Sequence, residues 1–323
     1  MAVIQVAEHI YQIRLPLPFR LDHVNCYALR DDDGWTLVDA GLHGPDAEAA
    51  WQAAWAELDL QPRQIRRVLL THAHPDHFGM AGWVQAQSGA PVYLAAAEET
   101  FARRMWMAPA MEVAASAQHW RRAGAPEDVI QRMETQTDHL RRMTLPHPTA
   151  LAAIETGVTV QMGGRSWRAM HAPGHSEGQL LFYAAGDRLL LCGDHVLMKI
   201  TPHIGLWPTS APDPLGRYLA SLDALAGLDV QLALPGHRHA IHNWPGRIAE
   251  LQQHHAERLT TMAESAGGAT AYQVMERVFP AGLLSEHELR FALAETLAHL
   301  AYLVIRRRLD YDDGAVRVYH RRE

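Results

Sequence analysis

The sequence predicts an α/β protein with one large domain followed by a smaller one. Its 323 residues, 48% of them hydrophobic, are enough to bury a substantial core. The chain begins with short apolar runs, and between residues 35 and 94 strand-like and helix-like segments alternate. This order is typical of helices packed on the faces of a sheet. We therefore expect the fold class to be α/β, with helices on both sides of the strands.

Composition limits the partners and the compartment. The formal net charge is −7 and the pI is near 6.3, which gives no general attraction to nucleic acid or to an anionic membrane. The two cysteines, Cys26 and Cys192, are too few for a disulfide framework and indicate a reducing compartment. The first residues form neither a signal peptide nor a membrane span. We expect a cytoplasmic protein without membrane association.

The first part of the chain, up to residue 94, is predicted to contain strands followed by alternating helices and strands. Residues 2–30 are interpreted as strands interrupted by prolines, and residues 35–38 form a further strand that ends at Asp39. Asp39 could be a turn former or helix cap, or it could orient a metal-bound histidine; both interpretations remain open. The segments that follow are a helix at 46–59, a strand at 65–70, a helix from 78 to 89 and a strand at 91–94.

Residues 97–148 are predicted to be a helical insertion. Residues 97–145 contain no strand pattern and are rich in Ala, Met, Arg and Glu, and Pro146 and Pro148 close the segment. Three roles are compatible with this composition. The insertion could pack onto the domain, it could cover the active site with an apolar wall, or it could mediate self-association.

Strands then resume. The predicted elements are strands at 158–161 and 167–170, a hairpin of residues 180–183 and 189–191, a helix at 213–226 and a strand at 230–234.

The loop Thr71-His-Ala-His-Pro-Asp-His77 carries the strongest chemical signal. It follows the apolar run 68–70, which predicts a buried strand, and Pro75 disfavours helix before it. Four ligand-type side chains lie within six positions: His72, His74, Asp76 and His77. Imidazole and carboxylate suit Zn²⁺, Fe²⁺ or Mn²⁺.

Three later motifs repeat this placement. His175 lies in Pro-Gly-His-Ser, Asp194 in Cys-Gly-Asp-His and His237 in Pro-Gly-His, each just after a short apolar strand. A packed sheet would place these strand ends along one edge, so that seven ligand-type groups could converge there.

Taken together and in order, these motifs resemble those of the metallo-β-lactamase fold superfamily, over residues 1–240. The resemblance implies a four-layer αββα sandwich with a two-metal site at one edge. It implies that His72, His74 and His175 hold one metal and that Asp76, His77 and His237 hold the second, with Asp194 bridging them. Asp194 occupies the position of the thiolate ligand of true class B lactamases, and Cys192 is expected to be a core residue. His171, His195, His239 and His242 match no ligand position.

The implied cofactors are two divalent ions, Zn²⁺ in the first place, with Fe or Mn as alternatives. Two ions ~3.5–4 Å apart share a water and lower its pKa toward ~7. The resulting bridging hydroxide attacks an acyl or phosphoryl centre, and Asp76 is the expected catalytic carboxylate, because it can orient that hydroxide and move a proton.

The C-terminal part is predicted to be mostly helical. We expect a boundary at 244/245, with helices at 245–266, 271–278, 286–299 and 302–309, a turn at 311–314 and a strand at 316–319. This order resembles the winged-helix tail of one branch of the superfamily. Residues 245–323 hold 10 Arg and 11 Asp plus Glu, a net charge of −1, which favours a structural or dimerising role over nucleic-acid binding.

The leading functional hypothesis is a metal-dependent hydrolase of a small-molecule ester, thioester or lactone, related to glyoxalase II-like thioesterases. A nuclease or phosphodiesterase acting on RNA or a nucleotide is the alternative, and an iron-binding redox or sensing module is the third. The complete ligand set and the acidic charge favour the first.

Overall fold

The computed structural model describes residues 3–108, 110–279 and 284–322, and for residues 110–113 and 286–287 it describes the backbone alone. Ten α-helices are present in these parts of the chain. They are α1 (Pro45–Glu57), α2 (Pro75–Phe78), α3 (Ala81–Ser88), α4 (Ala96–Ala102), α5 (Ala110–Arg122), α6 (Glu127–Arg142), α7 (Pro214–Ala226), α8 (Trp244–Ser265), α9 (Ala271–Val278) and α10 (Glu286–Ile305). A 3₁₀ turn spans Pro62–Gln64 and a π-helical turn spans Arg103–Met107.

The larger sheet contains the first seven strands in sequence order. They are β1 (Val3–Ala7), β2 (Ile10–Pro16), β3 (His23–Asp31), β4 (Gly34–Val38), β5 (Ile65–Leu69), β6 (Val92–Leu94) and β7 (Leu151–Ala153). Strands β1 to β4 are antiparallel, and β4 to β7 are parallel. The carboxyl ends of β4 and β5 therefore lie side by side, which places Asp39 next to the histidine loop.

The second sheet has five strands in the order β12-β11-β10-β9-β8. They are β8 (Thr159–Met162), β9 (Arg165–His171), β10 (Leu180–Ala184), β11 (Leu189–Gly193) and β12 (Leu232–Pro235). The pair β11–β12 is parallel, so the residues that follow both strands emerge at the same edge.

Side chains alternate between two cores along these strands. Phe182 and Leu191 face the larger sheet and pack with Tyr27 and Leu69 between the two sheets. Their neighbours on β10 and β11, including Cys192, face α7 and α8. This alternation follows from the period of two in a strand.

On the outer face of the larger sheet, Leu37 and Val68 pack against Trp51 and Trp55 of α1. The layers are thus helix, sheet, sheet, helix, which confirms the predicted αββα arrangement. Cys26 and Cys192 are free and buried, so Cys192 is a core residue, as predicted. In the described parts of the chain, no helix is both long enough and apolar enough to cross a bilayer.

Two local predictions are wrong. The helix expected at 78–89 begins only at Ala81, as α3, while the short helix α2 covers Pro75–Phe78, mostly within the segment expected to be a loop. The two helices are separated where Met80 N donates to Gly41 O (2.8 Å). The two helices expected at 286–299 and 302–309 form one helix, α10, which ends at Ile305. Leu309–Asp313, expected to be the end of a helix and part of a turn, is strand β14. Strand β14 pairs with β15 (Arg317–Arg321), which also pairs with β13 (Ala269–Thr270). Cross-strand pairing overrides the local helical pattern here.

Candidate metal centre

The structure brings the seven predicted ligand residues together in two groups. In each group the possible ligand atoms lie within 4.8 Å of one another. The imidazole cluster consists of His72, His74 and His175, and the carboxylate cluster consists of Asp76, His77, Asp194 and His237.

The local backbone structure determines where the side chains of the histidine loop, residues 71–77, project. His74 precedes α2 with an extended backbone, and Pro75 occupies the first helical turn, where its missing N–H is not needed. His77 N and Phe78 N both donate to His74 O (3.0 and 2.9 Å). Asp76 and His77 therefore project from a single helical turn, while His72 and His74 belong to the extended segment before it.

Short distances define the two clusters. His74 Nδ1 and His175 Nε2 are 2.9 Å apart. His237 Nε2 lies 3.2 Å from Asp76 Oδ2 and 3.1 Å from Asp194 Oδ2. Asp194 connects the clusters, because its Oδ1 is 3.4 Å from His77 Nε2 and its Oδ2 is 3.7 Å from His175 Nε2.

The far side of four rings is fixed by hydrogen bonds. Their Nδ1 atoms pair with Thr71 Oγ1 (His72, 3.0 Å), Asp39 Oδ2 (His77, 2.8 Å), His203 O (His175, 2.9 Å) and His23 O (His237, 2.8 Å). When Nδ1 carries the proton, Nε2 presents its lone pair to the centre of the site. This is the arrangement that orients metal-binding histidines.

The inward atoms of the site lack hydrogen-bond partners. His72 Nε2, His77 Nε2, His237 Nε2 and Asp194 Oδ1 are buried without a hydrogen bond of good geometry. Buried polar groups are normally satisfied, and two imidazole nitrogens 2.9 Å apart need a proton or a cation between them. The residues therefore fit divalent cations of the kind that N/O ligands prefer, Zn²⁺, Fe²⁺ or Mn²⁺.

Electrostatics differ between the two clusters in the absence of cations. Burial lowers the pKa values of His72, His74 and His175, and neighbouring imidazoles lower those of His72 and His74 further. For His175, the carboxylate of Asp194 and the hydrogen bond to His203 O oppose the lowering without outweighing it. Burial alone would also lower the pKa of His237, but the carboxylates of Asp194 and Asp76 outweigh it and raise the value to about 10. The carboxylates of Asp194, Asp39 and Asp76 likewise outweigh burial and raise the pKa of His77.

The two carboxyl groups respond in the opposite sense. Burial would raise the pKa values of Asp76 and Asp194, but His77 and His237 outweigh it and hold both below the ordinary value. Both groups are therefore carboxylates at neutral pH.

Asp39 connects the two clusters through hydrogen bonds on the side of the histidine rings that faces away from the centre of the site. Its Oδ1 accepts from Thr71 N (2.8 Å), and its Oδ2 accepts from Thr71 Oγ1 (2.9 Å) and His77 Nδ1 (2.8 Å). The Thr71 hydroxyl in turn accepts from His72 Nδ1. Of the two interpretations that the sequence allowed for Asp39, the geometry supports the one in which it orients histidines.

Glu98 is a functional residue that sequence reasoning missed. It is buried in α4, and its carboxylate accepts from Ala73 N (2.8 Å) and Gly178 N (2.6 Å). It thus ties the histidine loop to the loop that carries His175. Burial raises its pKa, and the backbone N–H groups oppose that shift. An acidic residue at the start of a helix predicts a surface position, so no local pattern could have revealed this role.

Gly236 is required by the crowding of the carboxylate cluster. A Cβ atom at this position would lie 2.2 Å from Asp194 Oδ1 and 2.6 Å from His77 Cε1. The neighbouring Pro235 O accepts from Tyr27 OH (2.7 Å) and Asn25 Nδ2 (3.0 Å), which holds the loop of His237 against β3.

The four other histidines near the motifs belong to neither cluster. His195 is buried and pairs with Ser221 Oγ (2.9 Å), and His171 pairs with Glu177 O (2.8 Å). His239 and His242 are exposed.

A cavity of about 860 Å³ opens onto the two clusters. Its wall includes Asp76 and His175, together with Phe291 of α10 and apolar side chains from three other segments. These are Leu17, Phe19 and Leu21 before β3, Phe101, Met105, Trp106 and Leu140 from the insertion, and Leu197, Ile200 and Trp207 after β11. Trp106 Nε1 also donates to Ala73 O (2.7 Å), so the insertion both packs onto the histidine loop and forms part of the cavity wall.

Comparison with known proteins places this fold and site in a family. Residues 19–237 match the model of the metallo-beta-lactamase superfamily, and residues 258–322 match that of the metallo-beta-lactamase-like C-terminal domain. The chain belongs to the metallo-beta-lactamase superfamily and is a metallo-hydrolase.

Similar proteins cover both parts of the chain. A metallo-beta-lactamase family protein from Thermus thermophilus is 32% identical, with a TM-score of 0.89 over 98% of this chain and 100% of that one. The "Probable metallo-hydrolase YqjP" of Bacillus subtilis is 26% identical over 92% of each chain. The atrochrysone carboxyl ACP thioesterase AgnL7 of Paecilomyces divaricatus is 36% identical, but only over 31% of this chain and 30% of that protein.

Proposed function

We propose that the protein is a dinuclear metal-dependent hydrolase of a small-molecule thioester, ester or lactone. The observation that carries this proposal is the pair of adjacent ligand clusters, with unsatisfied inward atoms, at the base of an apolar-walled cavity. The similarity to a thioesterase over part of the chain supports an acyl substrate. When bound, two divalent ions supply an acidified water and polarise the acyl oxygen.

In this proposal His72, His74 and His175 would hold one ion, Asp76, His77 and His237 would hold the second, and Asp194 would serve both. Zn²⁺ is the proposed metal, because imidazole and carboxylate suit it and no cysteine is needed.

Asp76 is the proposed catalytic residue. Its side chain is 20% exposed, at the cavity, while its Oδ2 faces His237. Because its pKa lies below the ordinary value, the carboxylate is ionised at neutral pH and can accept a proton from the attacking water. It can then deliver that proton to the leaving group on the cavity side. Glu98, Asp39 and Thr71 keep the surrounding groups in place.

We further propose that residues 245–323 form a separate winged-helix-like domain that completes the substrate cavity and does not bind nucleic acid. The order of α8, β13, α9, α10, β14 and β15 supports the winged-helix interpretation. Ser285, Glu288, Arg290 and Phe291 of this part line the cavity.

The test is a hydrolysis assay of the zinc-loaded protein against a panel of acyl thioesters, esters and lactones, with RNA and a phosphodiester as comparators. We expect turnover of acyl substrates and a fall of about 100-fold or more in kcat for Asp76→Asn. Elemental analysis of the natively purified protein should show near two metal equivalents. Turnover of RNA alone, sensitive to salt, would instead favour the nuclease alternative.

A further inference from the structure

Arg290 is a buried cation in the wall of the cavity that contains the ligand clusters. It belongs to α10, is only 8% exposed and lines the same cavity of about 860 Å³ as Asp76, His175 and Asp194. Because Arg290 lies more than fifty positions after the last ligand residue, His237, no motif of the metal centre points to it.

Arg290 has no acidic partner among the described side chains. Its Nη1 donates to Thr137 Oγ1 (3.2 Å), and its Nε is buried without a hydrogen bond. The described acids nearest along α10 are committed elsewhere: Glu288 binds Arg20 (3.0 Å) and Glu295 lies near Arg258 (3.9 Å). Most N–H donors of this guanidinium therefore have no described acceptor.

The guanidinium nevertheless remains charged. Burial lowers its pKa to about 10, with Arg141 lowering it in the same direction, so the group is a cation at pH 7. A buried, unpaired cation is costly unless an anion joins it. Its position in the cavity wall means that such an anion can enter with the substrate.

The surroundings of Arg290 favour a flat, singly charged group. Its Cζ lies 5.2 Å from the ring centroid of Trp207 and 5.1 Å from that of Phe291, so aromatic rings cover the guanidinium. The N–H groups that do not bind Thr137 can donate in the guanidinium plane, where a carboxylate can accept two hydrogen bonds. The other arginine that lines the cavity, Arg20, is already bound to Glu288, so Arg290 is the arginine of the described lining that can pair with a substrate anion.

We propose that Arg290 determines specificity by binding a carboxylate on the acyl part of the substrate, away from the bond that is hydrolysed. This inference rests on the proposed hydrolase function and narrows its substrate class to acyl compounds with a remote carboxylate. Thr137 positions the guanidinium, and Trp207 and Phe291 confine it. A phosphate group is the competing anion, but its second negative charge would find no second uncommitted arginine in the cavity.

Direct binding tests this without requiring turnover. Calorimetric titrations of the zinc-loaded protein would compare succinate, glutarate, adipate and suberate with the monocarboxylates of equal carbon number. The metal centre can hold one carboxylate of either probe, whereas only a dicarboxylate can also reach Arg290. We expect at least one dicarboxylate to bind about tenfold tighter than its monocarboxylate.

The substitution Arg290→Gln should reduce that advantage to within about threefold, while Arg168→Gln, an exposed arginine of β9, should leave it intact. Arg290→Lys keeps the charge but loses the two-pronged geometry, and it provides the test if the glutamine variant does not fold. We expect it to lose most of the advantage, and an unchanged advantage in the variant that folds would overturn the proposal.

Two further outcomes would also overturn it. One is equal binding of mono- and dicarboxylates at every length, and the other is binding of an ω-phosphonocarboxylate about tenfold tighter than the best dicarboxylate. Hydrolysis of neutral acyl thioesters without any dicarboxylate preference would leave the hydrolase function standing and remove Arg290 from it. Dicarboxylate binding that depends on Arg290, without hydrolysis of any acyl substrate, would support Arg290 as a carboxylate site and contradict the hydrolase function.

Discussion

The imidazole cluster and the carboxylate cluster share one edge of the fold but differ in charge. His72, His74 and His175 contribute no anion, whereas the second cluster contains Asp76 and Asp194. In the absence of metal, the carboxylates hold protons on His77 and His237, while the three other imidazoles stay neutral. The imidazole cluster therefore offers a cation three neutral nitrogen ligands, whereas the carboxylate cluster also offers it negative charge.

Asp194 is the residue on which both halves depend, so its removal should have the largest effect. Asp194→Asn keeps the shape but removes a negative charge that faces His77, His237 and His175. We expect kcat to fall by about 1,000-fold and the zinc content to fall from near two equivalents to near one. Assays paired with elemental analysis check this. Two retained equivalents would show that the imidazole and carboxylate clusters do not need a shared anion.

Gly236→Ala should damage the carboxylate cluster selectively. The added Cβ would meet Asp194 Oδ1 and His77 Cε1, and these side chains cannot move without losing their partners. We expect the affinity of that cluster for zinc to fall by about 100-fold, while the imidazole cluster changes little. The measurement is a competition titration with a chelator.

Gly227→Ala is the matched control for that experiment. Gly227 ends α7 with a φ of −85°, and a Cβ atom there would meet no heavy atom within 4 Å. Equal losses in both glycine variants would show that crowding at Gly236 is not the cause.

Asp39→Asn tests whether the clusters are coupled through the residues behind them. The amide cannot accept from His77 Nδ1, Thr71 N and Thr71 Oγ1 as the carboxylate does. We expect a loss of about 10- to 100-fold in zinc affinity, larger at the carboxylate cluster because His77 contacts Asp39 directly. Thr71→Val should weaken the imidazole cluster instead, because it removes the acceptor of His72 Nδ1. A larger loss of zinc affinity at the same cluster in both variants would argue against this division.

The seven residues of the clusters could be predicted from sequence because each follows a strand, and a sheet brings strand ends to one edge. The orienting role of Asp39 could be stated only as one of two alternatives, since a carboxylate after a strand is common. The contacts of Glu98 and Arg290 could not be predicted from sequence, because their partners are 25 and 153 positions away and lie on other elements. Tertiary contacts of this kind leave no local pattern.

The same limit explains the errors in secondary structure. The bend between α2 and α3 depends on a backbone hydrogen bond from Met80 to Gly41, which belongs to the turn after β4. Strand β14 depends on pairing with β15, although the residues before it continue the helical pattern of α10. The predicted order of the layers was correct, but it was implied by the resemblance of the ordered motifs to a known superfamily and not by any local pattern in the strands.

Proton release provides the finest test of the comparison. Metal ligands must be deprotonated, and at pH 7 the raised pKa values of His77 and His237 keep both protonated in the metal-free protein. The imidazole cluster, with lowered pKa values, is already neutral. Filling the carboxylate cluster should therefore release about two protons at pH 7, and filling the imidazole cluster about none.

Calorimetry in buffers of different ionisation enthalpy counts these protons. The release should fall as the pH approaches 10, since His237 then loses its proton before the metal binds. His237→Ala should reduce the release at pH 7 to about one proton. A release of zero in the unmodified protein would mean that Asp76 and Asp194 do not hold protons on the imidazoles, and the two clusters would then differ in geometry alone.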